Sequence, residues 1–279
     1  MIVATTVGLT RYLQEWLECV KLLDPDEIII VQDTLRSGEI PDSVKSECKI
    51  IKYKTVQWKG EEYKADAGSR KIPEDTDLPK EVIKNFDLYY KNMCNVSMFL
   101  GVLKAIRYAL LKKNDLTFID SDVMIGRKTA NYIKNTSLDW VIIATPCFGR
   151  EHLERGYIYR VKDKYNYIKK HLFVHTYSLN SHVKLDVLIK TYSILKKEGL
   201  KMLLTKKYPD VVWWDITSKY FNRYVLFSDD VCQYEFGYKF CMKDVPKYWI
   251  WIRLSDFLKC FTEDSLKLIA VQKIFEAVP

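Results

Sequence analysis

Glycine is scarce, with ten residues in 279. A long Gly-rich loop that cradles phosphate on backbone N–H groups is therefore not expected. Cysteine occurs seven times, at 19, 48, 94, 147, 232, 241 and 260, with no C-x-x-C spacing. The odd count and the missing motif argue against a zinc ribbon or a secreted disulfide framework. They predict a reducing interior in which thiols act as small core hydrophobes. No apolar run of transmembrane length stands out, and the apolar N-terminus, residues 1–7, is too short for a signal peptide. There is no H-E-x-x-H, no internal repeat and no low-complexity segment.

What is present describes a globular chain: 48% hydrophobic and 29% charged residues. A chain this long can bury roughly 75% of its unfolded surface, so it needs no staples to fold. The net charge of +8 permits attraction to nucleic acid, anionic lipid or phosphorylated substrates without choosing among them.

Residues 2–7 read as a strand, residues 9–23 as a helix with Leu13, Trp16, Leu17 and Val20 at helical spacing, and residues 27–31 as a second, apolar strand. Such a strand–helix–strand order fits a parallel crossover. A third strand is expected at 48–54. Residues 57–91 are polar and irregular, which predicts a lid or a flexible insertion from which Arg70 and Lys71 could close on a diphosphate. The strongest helix signal spans 92–113. It leads into an apolar run at 116–119 and then into Asp120-Ser121-Asp122. Further strands are expected at 140–145 and 224–227, a helix at 185–204, and amphipathic helices near 255–260 and 262–275.

Asp-x-Asp alone is a weak signal, and the chain has it three times: Asp24/Asp26, Asp75/Asp77 and Asp120/Asp122. The first brackets Pro25 and reads as a turn; the second lies in a polar stretch. Only the third closes a strand-like run, and in open α/β sheets ligands bind outside the carboxyl ends of the strands. Along an extended strand, side chains at 120 and 122 would point the same way. Hard cations such as Mg²⁺ and Mn²⁺ need only one or two carboxylates beside substrate phosphates. Thr5, Thr6 and Asp33 would share that sheet edge, where an acid suits hydrogen bonding to a base or ribose. For Asp33 the simpler reading is the start of a turn. Asp229 and Asp230 follow another apolar run. They read either as a general base or as the cap of a helix carrying Val231 and Tyr234. Asp215, after Trp213-Trp214, is a third candidate base. His171 and His175 have helical i,i+4 spacing and His182 follows, a weak metal pattern.

The order of these elements resembles the GT-A glycosyltransferases, especially their inverting, family 2-like members. The resemblance runs from Val3-Ala4-Thr5-Thr6 through residues 28–33 and the 92–113 helix to Phe118-Ile119-Asp120-Ser121-Asp122, and loosely to Ser228-Asp229-Asp230. It implies an α/β fold, a GT-A-like (Rossmann-like), mostly parallel sheet flanked by helices. It further implies one domain over residues 1–235 and a helical extension over 236–279. It gives Asp122 the metal contact, Asp120 a metal or ribose contact, and Thr5, Thr6 and Asp33 the nucleotide. Asp230, with Asp229 second, becomes the base.

The implied activity moves a sugar from a nucleotide-sugar donor, UDP- or GDP-linked by preference, to a glycan, lipid or protein acceptor, with Mn²⁺ or Mg²⁺ and with inversion. The expected location is cytoplasmic, with peripheral contact at the inner membrane surface as a variant. Two rivals stand beside it. A sugar nucleotidyltransferase would share the sheet and the acids but usually has a Gly-rich basic loop after the first strand. A basic binding module would use the Lys- and Tyr-rich 157–207 region on nucleic acid or lipid, although no nucleic-acid signature stands out.

Overall fold

The computed structural model describes residues 1–7, 10–56, 72–148, 172–175, 178–206, 208–235, 238–244 and 267–270. The 57–71 part of the expected lid, with Arg70 and Lys71, lies outside them. So do His171 and residues 157–170 of the basic region.

Strands β1 (Ile2–Val7), β2 (Glu27–Asp33) and β3 (Lys49–Tyr53) lie side by side and parallel. The first two are buried along nearly their whole length, which is why they read as unbroken apolar runs rather than as alternation. Strand β4 (Leu116–Phe118) pairs parallel with β1 on its other side. Farther along the chain come β5 (Val123–Ile125), β6 (Trp140–Ile143), β7 (Thr145–Phe148), β8 (Leu172–His175) and β9 (Ser181–Val183). Then follow β10 (Tyr224–Phe227), β11 (Val231–Glu235), β12 (Tyr238–Cys241) and β13 (Lys267–Ala270).

The main sheet has the order β13-β10-β6-β9-β4-β1-β2-β3. Six strands are parallel; β9 and the edge strand β13 run against them. The protein is thus an α/β fold with a mostly parallel, mixed sheet. A smaller antiparallel sheet, β12-β11-β5, and a β7-β8 pair complete the strands among the described residues.

Alternate residues of the sheet feed two cores. Ile2, Ala4, Phe118, Ile142 and Val225 join α5 (Met93–Lys112), α7 (Leu185–Lys206) and α8 (Pro209–Thr217) on one face. Val3, Val7, Ile28, Ile143 and Leu226 join α1 (Leu13–Val20), the small sheet and α6 (Arg127–Asn135) on the other. Short helices α2 (Asp42–Lys45), α3 (Lys80–Lys84) and α4 (Phe86–Tyr89) lie between.

Helix α1 buries Leu13, Trp16, Leu17 and Val20, the i, i+3, i+4, i+7 stripe. The expected helix starts later than residue 9, and Thr10 contributes its carbonyl rather than a side-chain cap. Helix α5 is long and apolar enough, by length and composition, to cross a membrane, which corrects the expectation that no run qualifies. In this fold it is a core helix. Gly101 lets it approach Thr6 and the Tyr53 hydroxyl so closely that a Cβ there would collide with both. Gly199 on α7 likewise makes room for Phe99.

Two expectations change. Residues 80–84 and 86–89 of the irregular stretch form α3 and α4. Residues 267–270, expected within an amphipathic helix, are the strand β13 on β10. A sheet edge supplies a row of hydrogen-bonding groups, and pairing with it outweighs a helical pattern that no neighbour enforces.

Candidate active site

Helix α5 ends where β4 begins, so its N-terminus stands at the carboxyl edge of the parallel strands. Antiparallel β9 returns the chain to the opposite edge; α7 then carries it back, and α8 starts at the carboxyl edge again. Asp33, Asp120, Asp122 and the first turns of α5 and α8 therefore gather at one edge. A groove of about 270 Å³ bounded by Asp139, Tyr220, Asn222 and Tyr224 lies at the other, at the starts of β6 and β10.

The end of β4 is fixed by α1 on one face and by the neighbouring strand β1. The Trp16 indole donates to the Ile119 carbonyl at 3.1 Å, and the Ile119 N–H donates to the Ala4 carbonyl at 2.9 Å. The next residues do not continue the strand. The Val123 N–H donates to the Asp120 carbonyl at 3.0 Å, closing a turn that sends the chain from the main sheet into β5. The expected extended Asp120–Asp122 segment is thus a turn. Strand β9 then supplies what the sequence did not advertise. The Asp120 N–H donates to Asn180 Oδ1 at 2.7 Å, and Asn180 Nδ2 donates back to Asp120 Oδ2 at 3.0 Å. Asn180 is itself held by its N–H and side-chain amide on Ser178 Oγ. Asp122 is anchored through its backbone, whose carbonyl accepts from the Tyr234 N–H at 2.8 Å. From other described residues its side chain receives a long 3.5 Å contact from Gln233 Nε2.

Both carboxyls are half-buried, and burial outweighs the donors and charge that stabilise their ionised forms. Burial, then the charge of Asp122, pushes Asp120 up to about 7; the Asn180 bond opposes this and Asp210, on the first turn of α8, adds to it. Burial raises Asp122 as well, against the pull of Gln233, its own backbone N–H and Arg11. Oδ1 of Asp120 accepts no hydrogen bond from a described residue. A carboxylate oxygen without a donor among the described residues, beside a second raised carboxylate, suits a hard divalent cation, which would offset the charge of Asp122 that acts on Asp120. Among the described residues no group of three or more His, Cys, Asp or Glu forms a metal cage. A cation here would rest on two carboxylates plus water or substrate oxygen, the pattern Mg²⁺ and Mn²⁺ accept.

The other acids are spent internally. Asp230 stands at the N-terminus of α6. Its Oδ2 accepts from the Lys128 N–H at 2.8 Å and the Thr129 N–H at 3.4 Å. Its Oδ1 accepts from the Thr129 and Ser228 hydroxyls, each at 2.5 Å. Gly126 is required beside it, because a Cβ there would run into the Asp230 carboxylate. Asp229 pairs with Lys128 Nζ at 3.1 Å. The cap expected for a helix after residue 228 is real but serves α6, a hundred residues earlier, while residues 231–235 form β11. Since β11 pairs Val231 with Ile125, Asp230 lies opposite Gly126. Four residues of strand separate that point from Asp122, roughly 13 Å at about 3.3 Å per residue. The structure thus places the expected catalytic pair apart from the expected metal pair.

Asp33 is buried, and both of its oxygens are taken. Thr55 Oγ1 and Ser97 Oγ donate to Oδ2, the latter at 2.6 Å, and the N–H groups of Leu35 and Thr55 donate to Oδ1 at 3.2 and 3.3 Å. The Leu35 bond is a turn contact, so the simpler reading of Asp33 describes its geometry. Thr5 is buried, with its hydroxyl on the Thr6 carbonyl, and Thr6 packs beneath Gly101. The first two Asp-x-Asp copies are structural: Asp24 takes a left-handed φ of 49°, Asp26 meets the Met1 amino group at 2.5 Å, and Asp75 and Asp77 bind Lys54 and Lys104. His175 is on a strand, so its helical spacing from His171 is not realised. His182 is a core residue whose Nδ1 lies 2.9 Å from Thr117 Oγ1, and burial holds it neutral, down at about 4. Asp215 lies farther along α8.

Cys232 and Cys241 form a disulfide, which corrects the expectation of unbridged thiols. They stand directly opposite on β11 and β12, a pairing set by hairpin register and invisible to a C-x-x-C search. Asn180 and Gln233 had no sequence signal either; the start of β9 and the strand β11 bring them to the pair.

No protein-family model matches this chain, and no curated protein is significantly similar to it.

Proposed function

We propose that this chain is a metal-dependent glycosyltransferase of the GT-A type, taking a sugar from a nucleotide-sugar donor. The observation that supports it is the Asp120/Asp122 pair. Two half-buried carboxylates, both raised by burial and Asp120 further by the charge of Asp122, stand at the carboxyl edge of a mostly parallel sheet, where ligands of open α/β folds bind. Mn²⁺ or Mg²⁺ held there would supply a Lewis acid for the charge that grows on a departing nucleoside diphosphate. The chain's own residues fix where that happens. Asn180 orients Asp120, the Tyr234 N–H fixes Asp122, and Trp16 locks the strand end beneath both. The same edge would serve a sugar nucleotidyltransferase, which releases pyrophosphate instead of a nucleoside diphosphate.

The test is thermal stability with UDP, GDP, CMP and ATP, each with and without Mn²⁺. Binding to the native state raises Tm by mass action. The expected result is a shift for one diphosphate that needs Mn²⁺ and disappears in Asp122→Ala, with the variant's own Tm close to wild type. An Asp122→Ala protein that keeps the Mn²⁺-dependent shift sinks the assignment.

A further inference from the structure

Arg11 lies just beyond β1, with its guanidinium 4.6 Å above the Tyr12 ring. Tyr12 in turn stacks on Tyr234, with centroids 4.3 Å apart and planes 19° from parallel. Tyr234 is the residue whose N–H holds the Asp122 carbonyl. A continuous column, guanidinium on ring on ring, thus ties Arg11 to the strand that fixes Asp122. The guanidinium is exposed and donates no hydrogen bond to any described residue. Arg36 is engaged with Cys94 and Lys128 with Asp229, while Lys239 Nζ lies 5.7 Å from the Tyr234 ring centroid.

We infer that Arg11 binds the phosphate oxygens of the nucleoside diphosphate on the open side of the Asp120/Asp122 pair. This rests on the donor reading above and deepens it. Two carboxylates and one divalent cation cancel formally, so the charge of a bound diphosphate still needs a partner. A guanidinium presents a planar fork of donors that matches phosphate oxygens. Stacking on Tyr12 restricts the side chain before the ligand arrives, which lowers the entropic cost of using it.

The experiment is equilibrium binding of UDP, GDP and inorganic pyrophosphate, with Mn²⁺, to wild type, Arg11→Ala and Arg11→Lys, at two salt concentrations. Lys190→Ala is the control, since Lys190 sits over Tyr220 and Phe221 at the opposite sheet edge. Loss of one charge-assisted contact should weaken pyrophosphate and the preferred nucleotide by about tenfold in Arg11→Ala. The salt dependence of binding should also flatten, Lys should restore part of the loss, and the control should bind as wild type. A purely structural Arg11 would lower Tm without changing the salt dependence. Wild-type affinity in Arg11→Ala overturns the inference and leaves the donor reading standing. No Mn²⁺-dependent binding by wild type overturns the donor reading, and the inference falls with it.

Discussion

Two acidic pairs, Asp120/Asp122 and Asp229/Asp230, each follow an apolar run in the sequence, yet the fold treats them in opposite ways. Asp230 accepts four hydrogen bonds at the start of α6 and Asp229 is paired with Lys128. Asp120 and Asp122 hold fewer donors among the described residues, and each is pushed towards its protonated form. A carboxylate saturated by the fold contributes stability and has no lone pair left for chemistry. A carboxylate the fold leaves unsatisfied costs stability and is free to bind. Sites that act on ligands are built from the second kind.

The contrast can be broken by mutation. Asp230→Ala removes an acceptor from two backbone N–H groups and two hydroxyls at once. It should destabilise the protein by about 3 kcal/mol, the sum of a lost helix cap and orphaned donors. Urea denaturation measures this, and an unchanged midpoint would mean the cap is dispensable. Reduction of Cys232–Cys241, or Cys241→Ser, comes next. The bond closes a loop with a sequence separation of 9. Chain entropy puts its contribution at about 2–3 kcal/mol. Because Cys232 adjoins Gln233 and Tyr234, reduction should also weaken Mn²⁺-dependent binding at Asp122; a midpoint indifferent to dithiothreitol would count against both effects.

The smallest change should have the opposite sign. Asp120→Asn is expected to stabilise the metal-free protein by roughly 1 kcal/mol, after discounting for the partial exposure of the site. Burial and the charge of Asp122 push Asp120 up to about 7 in the fold, from an ordinary carboxyl value of 3.8. Between those values the folded state holds a proton that the unfolded state has lost, so the penalty of Asp120 grows as pH rises and is complete above 7. The gain from Asn should therefore be near zero at pH 4 and full at pH 8. A gain that is flat with pH would show that Asp120 is not the strained group.

The sequence made the first half of the fold legible because its signals are local. Leu13, Trp16, Leu17 and Val20 announce α1, unbroken apolar runs announce β1 and β2, and the apolar breadth of residues 93–112 announces α5. Of the three Asp-x-Asp copies, position after a strand-like run picked out the one at the sheet edge. For Asp33 and Asp230 the turn and cap readings were legible, but their distant partners were not. Whether an acid is spent or spare depends on donors contributed from elsewhere: Thr55 and Ser97 for Asp33, Thr129 and Lys128 for Asp230.

By itself, then, the sequence determined an α/β chain with a helix leading to a strand that ends in Asp120-Ser121-Asp122, since period and turn chemistry are properties of neighbouring residues. Only the tertiary structure decided the rest. It inserted β9 against the run of the sheet, and so set Asn180 on Asp120. It laid β11 beside β5, and so bound Cys232 to Cys241 and carried Asp230 to the far end of the strand. These outcomes turn on which strands become neighbours, and strand pairing is fixed by long-range burial and register, not by the residues adjacent in the chain.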